Sequence, residues 1–465
     1  MPTRDRNPIN ANQTGVANKV SDALLSYRRG LALSWIDDDT IQVSVGECMV
    51  GKLLYQTVTA NITFAKIDTG ARAVGKDYFV YVVSNSGAID FKISLAATYP
   101  SGYSATTCRL IGYFHNGKDY VGGGSDGAIF QYSVCSNDLI LSATPYVAHP
   151  DLPAGIPLPG MVKCGLFAMG IYQASRADAT GSAAGSSVVP RSQYGVALWA
   201  SINGFAANAV AAAAGCRLPT LFEWWQAAMF KPGGLNKGTG AITAATNANP
   251  IVITSNGHGL ANGDQVLIYG VAGNTAANGL WTVSAVATNT FTITVAGNGA
   301  YTSGGTWEYT GFLAKQNGNT NSGASSDDAT QSGTADPTQA GRTLVGTGPR
   351  TTEFMLAAGR SWFSPIGCAD MVGNVWEWVA CLAAGLYSAA GYGTFHSWGY
   401  GDSDGVWNVD SYAYQSQQAG WFQGLPAMAI CGGYWLDGSS AGVRSVHLGD
   451  APGYSSVLLG FRLAR

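Results

Sequence analysis

Residues 431–465, CGGYWLDGSSAGVRSVHLGDAPGYSSVLLGFRLAR, contain the pattern that decides the fold. Two segments alternate with a period of two residues, which is typical of β-strands that bury one face. In the first segment, Val446 and Leu448 share one face. In the second, the mostly apolar face predicted to point into a core consists of Ser455, Val457, Leu459, Phe461 and Leu463.

The opposite face of these two segments has no packing pattern. It mixes aromatic, imidazole, hydroxyl and aliphatic groups, namely His447, Gly449, Tyr454, Ser456 and Leu458. A core face is constrained in volume and polarity, whereas an outward face tolerates such a mixture. We therefore predict a strand pair with a fixed inner face and an unconstrained outer face.

Four short motifs surround this mixture: GGYW at 432–435, AGVR at 441–444, AP at 451–452 and LGFRLA at 459–464. Together they resemble the variable region of a target protein of a diversity-generating retroelement, carried on a C-type lectin-like fold. In such systems, adenines in a template copy are randomised and the result is written into the protein's last segment. The resemblance implies ten diversified, ligand-binding positions: Tyr434, Leu436, Asp437, Ser440, His447, Gly449, Asp450, Tyr454, Ser456 and Leu458.

The codon chemistry of this process gives a coarse check. Randomising both adenines of an AAC codon never yields Lys, Glu, Gln, Met or Trp, and only Trp435 among residues 434–465 belongs to that set. We predict that Trp435 is fixed scaffold. We assign Arg444 and Arg462 to bracing the loops, against an acidic residue such as Glu377, rather than to the binding face.

Length and composition limit the class of protein. A chain of 465 residues favours two to four domains. Only 11% of the residues are charged and the net charge is −3, so the chain has no basic footprint for nucleic acid. No apolar run approaches the ~20 residues of a membrane span, which predicts no membrane insertion. MPTRDRNPIN does not have the pattern of a signal peptide. The eight cysteines lack CxxC spacing, and we predict buried free thiols.

The first part of the chain is predicted to be β-rich. Residues 1–30 are predicted to be either an attachment or oligomerisation segment or an irregular terminus, weakly helical from Val16 to Arg29, and residues 31–144 are predicted to be an all-β domain. Within it, YPSGYSATTCRLIGYFHNGK resembles a domain common in phage tail-fibre proteins. We interpret His115 as a structural strand-end residue. Residues 145–160 are a proline-rich linker.

A C-type lectin-like domain is predicted over 161–237 and 312–465, with the variable region at 431–465. RLPT at 217–220 and GNVWEW at 373–378 resemble signatures of the formylglycine-generating, or sulfatase-modifying-factor, type of this fold. Asn203 is a candidate N-cap for a helix over 204–214, and Thr220 and Glu223 form a capping box for the next helix. Its core face is predicted to contain Phe222, Trp225 and Met229.

Within the family, Asn374 and Glu377 are candidate calcium ligands in some relatives. Here we predict structural hydrogen bonds for both, with no bound metal or cofactor. Residues 238–311 are predicted to be an inserted β-domain, because their strands are separated by Asn-Gly, Gly-Asp and Gly-Asn turns. Residues 313–350 are predicted to be disordered or a long surface loop, and residues 385–424 to be loops that flank the variable face.

Enzymatic activity is disfavoured because the chain lacks the reactive residues of the enzymes that share this fold. Formylglycine-generating relatives carry a reactive cysteine pair in the segment aligned with 434–444, where this chain has no thiol. Without thiolates, copper(I) binding loses its chemical basis. Another branch of the fold uses a histidine-rich iron site, but the candidate histidines form no ligand motif: His149, His258, His396 and His447.

The sequence therefore predicts an α+β protein: an N-terminal all-β domain, then a C-type lectin-like domain with an inserted small β-domain. The predicted function is hypervariable binding of a host cell-surface protein or glycan, at the tip of a phage tail fibre in the virion. Homotrimerisation is expected by analogy with tail fibres. The alternatives are a diversified or invariant lectin-like adhesin of a bacterial cell surface and, remotely, a formylglycine-generating-type oxidase.

Overall fold

The computed structural model describes residues 27–120, 124–136, 157–229, 239–309, 318–320, 333–350, 361–383, 427–438, 441–447 and 450–465. These residues are mostly β-structure with two α-helices. The chain divides into two compact units, one formed by residues 1–116 and 127–145 and the other by residues 117–126 and 146–465. None of the described helices is long and apolar enough to cross a bilayer.

The first unit contains three small sheets. Their strands are β1 (Arg28–Gly30), β2 (Leu33–Asp37), β3 (Thr40–Val43), β4 (Gly46–Val50), β5 (Leu53–Thr57), β6 (Ala60–Thr63), β7 (Lys76–Asn85), β8 (Ala88–Ser94), β9 (Cys108–Gly117) and β10 (Ala128–Ile129). The sheet orders are β1-β4-β5, β2-β3-β6 and β10-β9-β7-β8. The prediction of helix up to Arg29 is wrong at its end, because Arg28 and Arg29 pair with Cys48 and Glu47 in β4.

Strand β7 lies between β9 and β8 in the four-stranded sheet. Residues 78–83 of this strand are all buried, which is typical of a strand covered on both faces. On the neighbouring strand, His115 is 2% exposed and its Nδ1 lies 2.8 Å from Asp77 Oδ1. The structural interpretation of His115 is confirmed.

The second unit begins with two hairpins, β11 (Met161–Cys164) with β12 (Phe167–Gly170) and β13 (Ala174–Arg176) with β14 (Pro190–Ser192). Helices α1 (Gly204–Ala213) and α2 (Leu221–Met229) follow. Both predicted caps are confirmed: Ala206 N–H donates to Asn203 Oδ1 at 2.8 Å, and Thr220 N–H donates to Glu223 Oε2 at 2.9 Å.

The predicted core face of α2 is wrong. Phe222 is 76% exposed, whereas Trp224, one residue outside the predicted stripe, is fully buried with Ala227 and Ala228. Of the three predicted residues only Met229 is buried. Because Trp224 and Trp225 are adjacent, the sequence alone did not show which of the two faces the core. In the fold it is Trp224, whose Nε1 donates to the buried carboxylate of Glu377 at 2.9 Å.

A seven-stranded antiparallel sheet occupies residues 239–309. It consists of β15 (Thr239–Ala241), β16 (Ala244–Ala245), β17 (Ile251–Thr254), β18 (Gln265–Tyr269), β19 (Gly279–Ser284), β20 (Thr290–Ile293) and β21 (Thr306–Tyr309). The strand order is β15-β21-β18-β19-β20-β17-β16, and an apolar cluster that includes Phe291 and Trp307 fills its core. His258 Nδ1 accepts from Leu260 N–H at 3.1 Å in a turn, which confirms its structural role.

The four strands of the C-terminal sheet are β22 (Trp376–Ala383), β23 (Ala427–Gly432), β24 (Gly442–His447) and β25 (Leu459–Phe461), in the order β24-β23-β22-β25. Strand β25 runs parallel to β22, with Trp378 opposite Phe461. The predicted inner face is correct for Leu459, Phe461 and Leu463, which are buried. It is wrong for Ser455 and Val457, which are exposed because the chain is in a turn before the strand begins.

Part of the polar segment 313–350 also differs from the prediction. Residues 318–320 and much of 333–350 are buried, including Asn319, Thr343 and the Asp336–Arg342 ion pair. Hydrogen bonds between buried polar groups, together with the buried apolar side chains of Leu344 and Val345, hold this segment in place. Residues 385–424 and 321–332 lie outside the described part of the chain. All eight cysteines are free, and seven are buried as predicted, whereas Cys381 is partly exposed.

Candidate ligand-binding face

The predicted variable segment ends in a buried ion pair. Arg462 and Glu377 are 0% and 1% exposed, and Arg462 Nη2 lies 2.7 Å from Glu377 Oε1. Arg462 also donates to the carbonyl oxygens of Gly170, Ile171 and Ala369. The predicted pairing of Arg462 with Glu377 is confirmed. The side chain of Arg444 lies outside the described part of the structure.

Further donors satisfy the remaining lone pairs of the Glu377 carboxylate. Gln173 Nε2 donates to Oε1 at 3.0 Å and Trp224 Nε1 donates to Oε2 at 2.9 Å. A buried charge is tolerated only when it is paired and fully hydrogen-bonded, and this carboxylate meets both conditions. It joins α2, β22 and the C-terminal end of the chain.

Asn374 extends the same polar network. Its Oδ1 accepts from Thr343 N–H at 2.9 Å, and its Nδ2 donates to Gln173 Oε1 at 2.8 Å. Asn374 has φ +64°, a left-handed conformation that Asn tolerates better than most residues. The predicted structural role of Asn374 and Glu377 is confirmed. Within the described ranges, no group of three or more His, Cys, Asp or Glu side chains is placed to hold a metal ion.

Trp435 is buried in the first turn of the predicted variable segment. It is 6% exposed, although Leu436 beside it is 57% exposed. Its ring packs on Gly341, which has φ +93° and where a Cβ would overlap the indole nitrogen. The prediction that Trp435 belongs to the scaffold agrees with this burial, because an indole held in this way cannot be exchanged freely.

The first group of predicted variable residues lies in the turn between β23 and β24. Tyr434 N–H donates to Asp437 Oδ2 at 2.8 Å, and Asp437 N–H donates to Tyr434 O at 3.1 Å, which closes the turn. Burial raises the pKa of Asp437 to about 6, although the Tyr434 N–H and nearby His447 act in the opposite direction. Leu436 projects outward from this turn.

His447 connects this turn to the second group. Its Nδ1 lies 3.1 Å from Asp450 Oδ2, and its ring centroid is 6.1 Å from that of Trp376. Trp376 N–H in turn donates to Leu458 O at 2.9 Å. His447 and Asp450 are partly buried, with side-chain exposures of 11% and 19%. The contacts of His447 therefore reach Asp450 and Trp376, and the backbone of Trp376 bonds to the residue before β25.

The second group lies in the turn at 450–458. Tyr454 is 49% exposed, and its N–H donates to Ala451 O at 2.8 Å. Ser456 is partly buried, and its Oγ accepts from Leu458 N–H at 3.2 Å. Leu458 is partly buried. The side chain of Ser456 and the backbone of Tyr454 help to hold this turn, whereas the exposed Tyr454 side chain is not needed to form it.

Eight of the ten predicted positions are described, and each is partly or substantially exposed: Tyr434, Leu436, Asp437, His447, Asp450, Tyr454, Ser456 and Leu458. Ser440 and Gly449 lie outside the described residues. Two acidic groups, an imidazole, two tyrosines and two leucines offer hydrogen-bonding, charged and apolar contacts. Such a set is suited to non-covalent recognition.

Sequence reasoning missed two exposed apolar side chains beside these turns. Val457 was predicted to face the core but is 42% exposed, and Phe205 at the start of α1 is 64% exposed. For Phe205 the sequence offered one signal of exposure. It is a single aromatic residue in an alanine-rich helix, close to the Asn203 cap, and it belongs to no apolar stripe.

Comparison with known proteins finds a family model that matches the N-terminal strands. Residues 32–135 match a family model described as the Mtd second domain. This stretch is under a quarter of the chain. The match confirms the predicted resemblance to a retroelement-diversified phage protein.

Three solved structures align with nearly the whole chain, and all three are variants of the Major Tropism Determinant. The Major Tropism Determinant I1 Variant is 17% identical with a TM-score of 0.48, and the P3c Variant is 16% identical with a TM-score of 0.46. The M1 Variant is 17% identical with a TM-score of 0.46. Each alignment covers 96% of this chain and 86% of the other. No curated protein sequence matches the chain.

Proposed function

We propose that this protein is a hypervariable receptor-binding protein of a phage, diversified by a retroelement, and that it recognises a host surface ligand through residues 434–458. The observation that carries the proposal is the alternation of buried and exposed neighbours within one short segment. Trp435 is 6% exposed between half-buried Tyr434 and Leu436 at 57%. A segment of this kind can change its outward residues while its inward residues keep the fold.

Energetics support this division. Substituting an exposed residue that touches little changes stability by about 0.5 kcal/mol or less, whereas truncating a core residue costs about 2–5 kcal/mol. The ten predicted positions could cover much of the ~800 Å² per partner of a standard interface. Substitutions at the most exposed of them, Leu436 and Tyr454, would change binding specificity while the free energy of unfolding stays almost constant.

The proposed partner is a host cell-surface protein or glycan, and the proposed location is the tip of a tail fibre, with a bacterial cell surface as the alternative. The match of residues 32–135 to the Mtd second domain supports the assignment to a virion. The names of the similar structures refer to tropism, which is the property that a receptor-binding tip determines. A homotrimer is the proposed assembly.

We further propose that the second unit has a C-type lectin-like fold and that residues 238–311 are an insertion within it. The separate apolar core around Phe291 and Trp307 supports an independently packed insertion. The buried GNVWEW strand and its pairing with β25 support the lectin-like assignment.

A non-enzymatic role is part of the proposal. Cys431 is the cysteine nearest to the variable turns in sequence, and it is fully buried. Burial raises the pKa of its thiol well above the usual value, which leaves it protonated and unreactive. The thiol chemistry of an oxidase therefore has no support at this site.

The decisive experiment is to sequence the DNA that flanks the gene and then to follow diversification in the living host. We expect a near-copy of the codons for 431–465, with adenines at the ten positions, next to a reverse-transcriptase gene. Passage with that enzyme active should change the codons for Tyr434 and Tyr454 and leave the codon for Trp435 unchanged.

The matched control is the same phage with an inactive reverse transcriptase, in which none of these codons should change. Substitutions spread evenly over 431–465, with Trp435 replaced as often as Leu436, would contradict the proposal. Finding no template copy in the genome would also contradict it.

A further inference from the structure

Phe205 is a large apolar side chain that the fold leaves in solvent. It is 64% exposed in the first turn of α1, where the buried residues are Gly204, Ala207 and Ala211. The turn itself is stabilised by the Asn203 cap, so neither helix formation nor core packing requires an aromatic side chain here. Isolated exposed apolar residues are common and need no functional explanation by themselves, so the location of Phe205 relative to the predicted binding face is what matters.

Residues 201–205 run beside the second variable turn. Ser201 N–H donates to Ser456 O at 3.0 Å, and Phe205 N–H donates to Pro452 O at 3.4 Å. The two segments are therefore antiparallel, with Phe205 close to the start of the turn that carries Tyr454.

Helix α1 approaches these segments closely at Gly204. An added Cβ there would overlap the sulfur of Met428 in β23 and would lie 3.4 Å from Pro452 O. Glycine therefore lets the start of α1 lie against β23 and this turn without displacing the Met428 side chain. This contact and the two backbone hydrogen bonds place Phe205 beside the predicted variable residues.

Three large apolar side chains on these adjoining segments remain exposed: Phe205, Tyr454 at 49% and Val457 at 42%. Of these only Tyr454 is among the ten predicted variable positions. Phe205 and Val457 stay apolar whichever residues the variable positions carry. The surface therefore has a constant apolar part next to its changeable part.

We infer that Phe205 is a constant anchor of the ligand-binding surface, which contacts apolar side chains of a protein partner while the variable positions decide which protein is bound. The inference rests on the proposed function. Aromatic residues are enriched among the few interface residues that carry most of the binding energy, because they bury a large area with few rotatable bonds.

The chemistry of Phe205 and Val457 favours a protein over a glycan as the partner. Neither side chain offers a hydrogen-bonding group, whereas a glycan presents hydroxyl groups that lose free energy when they are buried without partners. A protein surface with exposed aliphatic or aromatic side chains gains free energy when that apolar area is buried in such a contact.

The test uses the full chain with the ten variable positions randomised as a library. Binders are selected separately on hen egg-white lysozyme, on bovine serum albumin and on dextran. Phe205→Ala is then introduced into several clones from each selection, and Kd is measured together with the thermal midpoint. The matched control is Phe222→Ala, because Phe222 is also the second residue of a helix and is 76% exposed.

We expect Phe205→Ala to raise Kd by about 10-fold or more in every lysozyme and albumin clone, with an unchanged thermal midpoint. Phe222→Ala should change Kd by less than about 2-fold. Equal effects of the two substitutions would overturn the inference but leave the proposed function standing, provided that reverting the variable positions abolishes binding.

Two other outcomes distinguish the protein partner from the proposed binding function. A similar loss in the dextran clones would overturn the assignment to protein partners. A library that yields no binder on any of the three targets would overturn the proposed function, and the anchor with it.

Discussion

The buried network around Glu377 and the turns at 434–438 and 450–458 belong to the same small sheet but obey opposite rules. In the network, every oxygen of the Glu377 carboxylate is engaged by a side-chain donor from another part of the chain. In the turns, much of the shape is held by backbone hydrogen bonds, such as that from Tyr454 N–H to Ala451 O. Side chains that do not hold the shape can be replaced without changing it.

The difference teaches where variability can be tolerated. A residue is constrained by the contacts that depend on its own side chain, not by its distance along the sequence from other constrained residues. Trp435 and Leu436 are neighbours, yet only Trp435 is packed against Gly341. Four measurements test this contrast.

The largest effect is expected from removing one partner of the buried ion pair. Arg462→Met leaves the Glu377 carboxylate buried and uncompensated, and should lower the free energy of unfolding by about 3–5 kcal/mol. Urea denaturation measures this loss. Adding Glu377→Gln to Arg462→Met removes the orphaned charge and should recover part of it. A loss below about 1 kcal/mol in the single variant would show that the network is not what supports the sheet.

A smaller effect is expected where Trp435 packs on the backbone. Gly341→Ala combines a strained positive φ with overlap of the indole, and should cost about 3 kcal/mol. The control is Gly438→Ala, which has φ +53° and no atoms within 4 Å of the added Cβ. That variant should lose only about 1 kcal/mol, from the backbone conformation alone. Similar losses at both positions would mean that Trp435 is free to move.

Asp437 should make stability depend on pH. Burial raises its pKa in the folded protein to about 6, above the unfolded value. The folded state therefore keeps the proton to higher pH, and this stabilisation is complete below about pH 4 and is lost as pH rises through 6. Asp437→Asn keeps an acceptor for Tyr434 N–H but removes the titration.

The drop in unfolding free energy between pH 4.5 and pH 7.5 should accordingly be about 2 kcal/mol smaller in the Asp437→Asn variant than in the parent. Denaturation at the two pH values measures this difference. Asp370, whose pKa burial also raises to about 6, titrates in both proteins and so does not contribute to the comparison. An equal drop in parent and variant would contradict the assignment.

The smallest effect is expected at the exposed positions. Leu436→Ala should change the free energy of unfolding by less than about 0.5 kcal/mol, because the side chain is mostly in solvent. Leu459→Ala is the matched control, since Leu459 is 2% exposed and its truncation should cost about 2–5 kcal/mol. Thermal or urea unfolding distinguishes them. If the two leucines cost the same, the turn is part of the core and is unsuited to diversification.

The sequence predicted several local features correctly because they depend on neighbours along the chain. The caps at Asn203 and at Thr220 with Glu223 are of this kind, as are the Asn-Gly and Gly-Asn turns between the strands of 239–309. Features that depend on contacts between distant parts of the chain were harder to predict from the sequence. Because Trp224 and Trp225 are adjacent, the sequence did not decide which of them is buried; in the fold Trp224 is buried and donates to Glu377.

The candidate site divides in the same way. The sequence by itself led to the prediction that Trp435 is scaffold, to the suggestion that Arg462 pairs with an acid such as Glu377, and to the resemblance that implies ten variable positions. Tertiary structure alone decided that Val457 turns outward, that Asp437 is desolvated near His447, and that Phe205 adjoins the second predicted variable turn. The physical reason is that strand periodicity fixes side-chain direction only within a strand. In turns, and between segments distant in sequence, packing and hydrogen bonds decide which side chains meet solvent.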